Sequence, residues 1–224
     1  MATSDEALSA DIWIRRFADT ARRTEAQLTA LDQQVGDGDF GTNLSVGAAA
    51  ALARLDAFAR LQDRGVPGDA AVLEAAAAAF LDEVGGTSGP LFGLLLQSLA
   101  ASVAALGPTT PALARGVAEG LAAIRRVGGA APGDKTLVDA LAPAAEALEA
   151  LPDRTLPAAA LDAAAEAAWQ GVRDTARLRA RMGRSSYVGE RAAGVPDPGA
   201  VGVALLFASA AGVVEDLTPR VNAS

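Results

Sequence analysis

Residues 13–43 read WIRRFADTARRTEAQLTALDQQVGDGDFGTN, and a change of pattern inside this stretch decides the fold. Trp13, Phe17, Ala21, Thr24, Leu28 and Leu31 recur every third or fourth position, which is the spacing of one face of an α-helix. The stripe stops at Asp32, and glycines and acids take over through Gly41. Working outward, the same alternation of apolar stripe and glycine- or proline-rich break repeats along the chain. Leu113, Val117, Leu121 and Ile124 form another stripe, and alanine, the strongest helix former, fills the tracts at 74–80 and 158–168. Strand-like alternation is scarce.

The breaks fall at 36–41, 65–68, 85–90, 107–111, 128–133, 152–157 and 183–198. They predict eight helices, at about 5–33, 43–62, 69–83, 90–106, 111–127, 136–150, 157–182 and 198–215. Most connections are short, so successive helices run antiparallel. No linker divides residues 1–224, and the expectation is one all-α domain. In antiparallel order alternate breaks lie at the same end. The first, third, fifth and seventh therefore share one rim, and these are the glycine-rich ones.

Composition narrows the chemistry. The 224 residues carry a formal charge of −8, and no cysteine or histidine. An acidic surface repels nucleic acid and anionic membranes, so neither is expected as a partner. Without Cys or His there is no thiolate site, no Ser-His-Asp triad and no imidazole metal ligand, and any bound metal must be held by oxygen. The N-terminal residues 1–11 are polar and lack an apolar signal core. The uncharged stretch at 84–114 is divided by glycines and prolines, and its apolar segment 91–106 is about one turn short of a comfortable span. It and the stretch 199–214 are read as buried central helices of a soluble, cytoplasmic protein.

The first loop gathers Asp32, Asp37 and Asp39 among glycines. Two unit charges about 4 Å apart repel by roughly 1 kcal/mol in water and by about 4 at an effective dielectric of 20. Clustered carboxylates are thus natural ligands for a hard cation such as magnesium. Aspartate and glycine are also ordinary turn residues, and on the spacing alone a solvated turn is the favoured reading. Gly41-Thr42-Asn43 opens the next helix, where Thr42 or Asn43 can cap and free N–H groups can meet phosphate oxygens. Thr87 and Ser88 lie among glycines before another helix, a second candidate anion nest or a plain helix–helix turn. The 132–136 turn can face a base or ribose, or be a capped turn with a surface pair of Asp134 and Lys135. Arg184 and Arg191 are candidate phosphate partners or ordinary ion-pair members, and Asp197 before Pro198 reads as an N-cap.

The segments 36–43, 85–93, 133–143 and 183–200, in that order, closely resemble the nucleotide-binding L subunit family of dihydroxyacetone kinases. The resemblance spans essentially the whole chain. It implies an eight-helix antiparallel barrel with ADP or ATP and two magnesium ions at one rim. It also implies phosphoryl transfer to dihydroxyacetone held by a separate K subunit through that subunit's own histidine. Residue by residue, it assigns magnesium to Asp32, Asp37 and Asp39, and phosphate contacts to Phe40, Gly41, Thr42 and Asn43 with Thr87 and Ser88 beside them. Gly133 and Ala142 fall at the adenosine contacts, and Arg184 with Pro196, Asp197 and Pro198 at the remaining nucleotide contacts. No residue is assigned as nucleophile. Phe40 replaces a histidine common in the motif, and Ala142 a bulkier apolar residue, so both bear on nucleotide retention. A free-standing L domain suggests phosphotransferase dependence, with bound ADP rephosphorylated by an M subunit. An ATP-dependent kinase for another short ketose such as erythrulose, a module signalling nucleotide state to a transcriptional regulator, and the related domain of fatty-acid kinases are the alternatives.

Overall fold

The computed structural model describes residues 8–61, 68–183, 186 and 192–221. All regular structure among them is helical: α1 (Ala10–Val35), α2 (Phe40–Leu61), α3 (Asp69–Glu83), α4 (Ser88–Leu106), α5 (Thr110–Gly128), α6 (Val138–Glu149), α7 (Pro157–Thr175), α8 (Pro198–Ala208) and a short α9 (Thr218–Val221). Local chemistry sets the ends. The Ser9 hydroxyl accepts from the Ile12 amide at the start of α1, and Thr109 does the same for Ala112 at α5. Asp197 caps α8 through the Ala200 amide, with Pro198 as the first helical residue.

From α1 to α8 each helix packs on the next, and α8 meets both α7 and α1, so the contacts close into a ring. Residues of α8 are buried on all sides except at Gly199. The seam with α1 is polar at well-defined points. Trp13 Nε1 donates to the Leu206 carbonyl at 2.6 Å, and an Arg16 Nη donates to that of Ala210 at 2.6 Å. The centre is aromatic, with Phe17, Phe80 and Phe92 stacked at centroid separations of 5.6–6.5 Å and Phe40 tilted onto Phe92 at 6.4 Å. Small residues bring helix axes together. A Cβ on Gly171 of α7 would collide with the backbone of Asp139 and Ala140 on α6.

Several boundaries differ from the sequence reading. The helix expected over 157–182 ends at Thr175, where Ala176, Arg177 and Leu178 tighten into three-residue turns onto Arg173, Asp174 and Thr175. The helix expected over 198–215 ends at Ala208, where the Ala210 and Ala211 amides tighten onto the Phe207 and Ala208 carbonyls and the Val214 amide donates to the Thr20 hydroxyl instead of continuing the helix. The second helix starts at Phe40 instead of residue 43: the Asn43 amide already donates to the Asp39 carbonyl at 2.9 Å, so Thr42 and Asn43 lie inside the first turn and do not cap it. α4 reaches 19 residues and is long and apolar enough to cross a membrane by length and composition. Here it lies between α3 and α5 with Phe92, Leu95, Leu96 and Leu99 buried.

Candidate functional site

Asp32 sits on the last turn of α1, and its neighbourhood is fixed by the glycine that follows. Gly36 turns back so closely that a Cβ there would strike the Asp32 carboxylate, while the Gly36 amide donates to the Asp32 carbonyl at 2.5 Å. Gly38 adopts φ +80°, a left-handed conformation that costs other residues, and this carries the chain back towards α1. The Asp32 carboxylate accepts from the Phe40 amide at 3.1 Å, tying the end of α1 to the start of α2. One carboxylate oxygen from each of Asp32, Asp37 and Asp39 falls within 4.8 Å of the others. Burial raises the Asp32 pKa above the ordinary carboxylate range; the Phe40 amide opposes this, and the charges of Asp37 and Asp39 add to it. Three acids converging on one point, one of them buried and held by a backbone donor, fit a hard divalent cation.

This trio forms one wall of a cavity of about 420 Å³ lined from all four alternate breaks. The first break contributes Asp32, Asp37, Asp39, Phe40 and Asn43; the second contributor, at the start of α4, adds Gly86, Thr87 and Ser88. The Thr87 side chain makes no capping hydrogen bond and is exposed. The opposite wall is largely apolar, with Leu91, Ile124, Val127, Ala130, Val138 and Met182. Lys135, Thr136 and Leu137 come from the loop before α6, and Asp197, Pro198 and Gly199 from the start of α8.

The remaining assigned residues lie elsewhere. Gly41 packs against α1, where a Cβ would meet the Glu25 carbonyl and Thr29. The Thr42 hydroxyl bonds to a Glu25 carboxylate oxygen at 3.3 Å. Gly133 supports the loop through its amide, which donates to Asp139 at 2.5 Å, and does not line the cavity. Ala142 and Pro196 are buried, and neither lines the cavity. Arg184 and Arg191 lie outside the described residues.

The sequence reading missed Lys135 and the apolar wall. In one of the two readings of its turn Lys135 formed a surface pair with Asp134, yet it is 1% exposed, and burial lowers its pKa against the pull of Asp197 and Asp139. Nothing in a Gly-Asp-Lys-Thr turn distinguishes a buried lysine from a surface one. The apolar wall was legible only as helix stripe, because Ile124 and Val127 sit at core spacing.

Asp197 is buried, and desolvation pushes its pKa up to about 7, against the pull of the Ala200 amide and of Lys135; Asp139 and Asp32 add to the rise. The sign of the linkage follows. A folded-state pKa above the unfolded value favours folding at low pH, and that contribution is lost as pH rises from about 4 through about 7. Asparagine keeps the cap without the charge. In metal-free buffer, Asp197→Asn is therefore expected to gain stability over the parent as pH rises from 5 to 8, by an amount on the order of 3 kcal/mol at most. Parallel melting curves for the two proteins across that range would contradict the assignment.

The profile of the DAK2 domain matches residues 34–212. The chain is 40% identical over 192 residues to a D-erythrulose kinase of Mycolicibacterium smegmatis, covering 84% of this chain and 32% of that protein. It is 34% identical over 197 residues to the ADP-binding subunit DhaL of the PEP-dependent dihydroxyacetone kinase of Escherichia coli, covering 87% of this chain and 91% of that subunit. Among solved structures, the dihydroxyacetone kinase from C. freundii in complex with AMP-PNP and Mg2+ superposes with a TM-score of 0.63 at 26% identity, over 93% of this chain and 35% of that one. The chain thus spans about a third of the length of the erythrulose kinase and of the C. freundii enzyme, and nearly all of the DhaL subunit.

Proposed function

The chain belongs to the DAK2 domain family, and on that footing we propose that it is the nucleotide-binding part of a kinase for dihydroxyacetone or a related short ketose. The observation that carries this reading is the cavity itself, which joins three converging carboxylates on one side to an apolar wall on the other. A nucleotide has the matching division, a polyphosphate that needs cations near acids and a flat base that gains from leaving water. Asp32, Asp37 and Asp39 would hold one or two magnesium ions. The metal supplies charge neutralisation at the phosphate oxygens.

The protein residues then contribute positioning. Thr87 and Ser88 offer hydroxyls, and the first turn of α4 offers backbone N–H groups and the positive end of a helix dipole. Asn43, one turn into α2, adds an amide side chain on the metal side. Leu91, Ile124 and Val127 would give the base an apolar surface, and Pro198 and Gly199 add to the lining. Phosphoryl transfer asks mainly for such placement, and no nucleophile from this chain is required.

The ketose is held by a separate K-type subunit in this reading, which the likeness to an ADP-binding subunit supports. A phosphotransferase M subunit as donor, a cytoplasmic location and a second role towards a transcriptional regulator are consistent extensions. A second reading, an ATP-dependent erythrulose kinase component, is favoured by the 40% identity to the D-erythrulose kinase. The test is turnover. The isolated chain with Mg·ATP and either ketose is expected to form no product, and addition of a K-type subunit to restore it. ATP and a phosphorylated M-type protein, run as separate arms, identify the donor, and dihydroxyacetone against erythrulose identifies the acceptor. Phosphorylation of ketose by this chain alone would overturn the split-subunit reading.

A further inference from the structure

Lys135 is the least expected residue of the site. It is the non-glycine residue with a left-handed backbone among the described residues, at φ 62°, and it is buried. An L-residue keeps that conformation only where its surroundings over-determine it. Here they do. The Lys135 ammonium donates to the Thr175 carbonyl at 2.7 Å and to the Val195 carbonyl at 2.6 Å. Thr175 is the last residue of α7, so the cation meets the negative end of that helix dipole. Val195 precedes by two residues the aspartate that starts α8.

The same two segments are stitched together again. The Asp197 amide donates to the Thr175 hydroxyl at 2.9 Å, and the Gly194 amide to the Ala176 carbonyl at 2.9 Å. The Lys135 loop is itself rigid, because the Asp139 carboxylate accepts from the Gly133 and Thr136 amides at 2.5 and 2.8 Å. One buried cation therefore joins three chain segments, and two of them, the loop before α6 and the turn before α8, form parts of the cavity lining.

We propose that Lys135 is a positioning residue that sets the nucleotide cavity by strapping the Asp197–Pro198 turn and the end of α7 to the loop before α6. Its ammonium reaches the nucleotide only through the backbone it holds. The inference rests on the reading of this cavity as the nucleotide site. That reading fails if the parent protein does not bind Mg·ADP; the strap fails if the parent binds and the variants bind equally well.

The experiment compares the parent with Lys135→Met, Lys135→Arg and Thr175→Val. Mg·ADP affinity is measured by calorimetry, hydrogen exchange residue by residue, and nucleotide KM and kcat in the complex with a K-type subunit. Lys135→Met is expected to weaken Mg·ADP by about tenfold or more, and to speed exchange at the Asp197, Ala200 and Val201 amides while those of α3 and α4 keep the parent's rates. Lys135→Arg, which keeps a donor to both carbonyls, is expected to recover part of the loss. KM is expected to rise more than kcat falls. Should Lys135→Met fail to fold, Thr175→Val decides, since it cuts the bond to the Asp197 amide within the same strap and is expected to shift affinity and exchange the same way. A folded Lys135→Met, or in its place Thr175→Val, with the parent's affinity and exchange overturns the proposal. So does a uniform rise in exchange across all helices without a KM effect, because that is general destabilisation.

Discussion

Asp32→Asn is expected to weaken magnesium-dependent ADP binding by about 100-fold or more, ~2.7 kcal/mol, while leaving the metal-free protein at least as stable as the parent. The two halves have opposite physical origins. In the metal-free protein Asp32 is a buried carboxylate beside two other acids, and burial raises its pKa. Removing the charge relieves desolvation and repulsion, and an amide oxygen still accepts from the Phe40 amide. With magnesium present the same charge becomes the attractive partner, and a neutral amide is a much poorer ligand for a hard cation. Calorimetry with ADP at saturating magnesium, beside thermal melts in chelator, separates these effects. A variant that melts earlier in chelator and binds Mg·ADP as tightly as the parent would make Asp32 a structural residue and remove the metal centre from the loop. Asp37 and Asp39 are exposed, so their loss touches binding with less consequence for the fold.

How far this was legible in the sequence varies with the kind of information. The rim needed only two local signals, helical spacing and glycine-rich breaks, because antiparallel order then puts alternate breaks at one end. The cavity is indeed lined from the breaks at 36–41, 85–90, 128–133 and 183–198 or their helical flanks. The end of α7 was not legible. Residues 176–182 have helical propensity, and the partner at the helix end is non-local: the Thr175 carbonyl, which also accepts from the Leu178 amide, receives the ammonium of Lys135, 40 positions away. For the same reason Lys135 read as a surface residue. Gly133 and Ala142 were singled out by the resemblance alone. The resemblance assigns both to the adenosine; the structure places the Gly133 amide on Asp139 and Ala142 on the buried side of α6, neither among the cavity-lining residues.

Phe40 joins the two levels. Replacing it with alanine is expected to destabilise the protein by about 3 kcal/mol or more, a large loss for a residue at the edge of a ligand site. Its ring is 6% exposed, tilted against Phe92 at 6.4 Å, and it fills space that Gly202 of α8 leaves open; a Cβ on Gly202 would press on Phe40 and Phe92. The residue also lines the cavity directly after Asp39. Phe40→His puts these demands in competition. An imidazole left in the aromatic cluster buries an unpaired polar group, at roughly 1–3 kcal/mol. One turned to the cavity can donate to a phosphate oxygen, a bond to a charged group that contributes about 1.5–3 kcal/mol once nucleotide is present. The expected outcome is a lower melting temperature without nucleotide together with ADP release about tenfold slower at saturating magnesium, measured by displacement of a fluorescent analogue. A Phe40→His protein that melts earlier yet releases ADP at the parent's rate would mean that the position serves packing alone. The exchange of nucleotide would then be set by the metal loop and the far wall, and not by the residue that departs from the family's histidine.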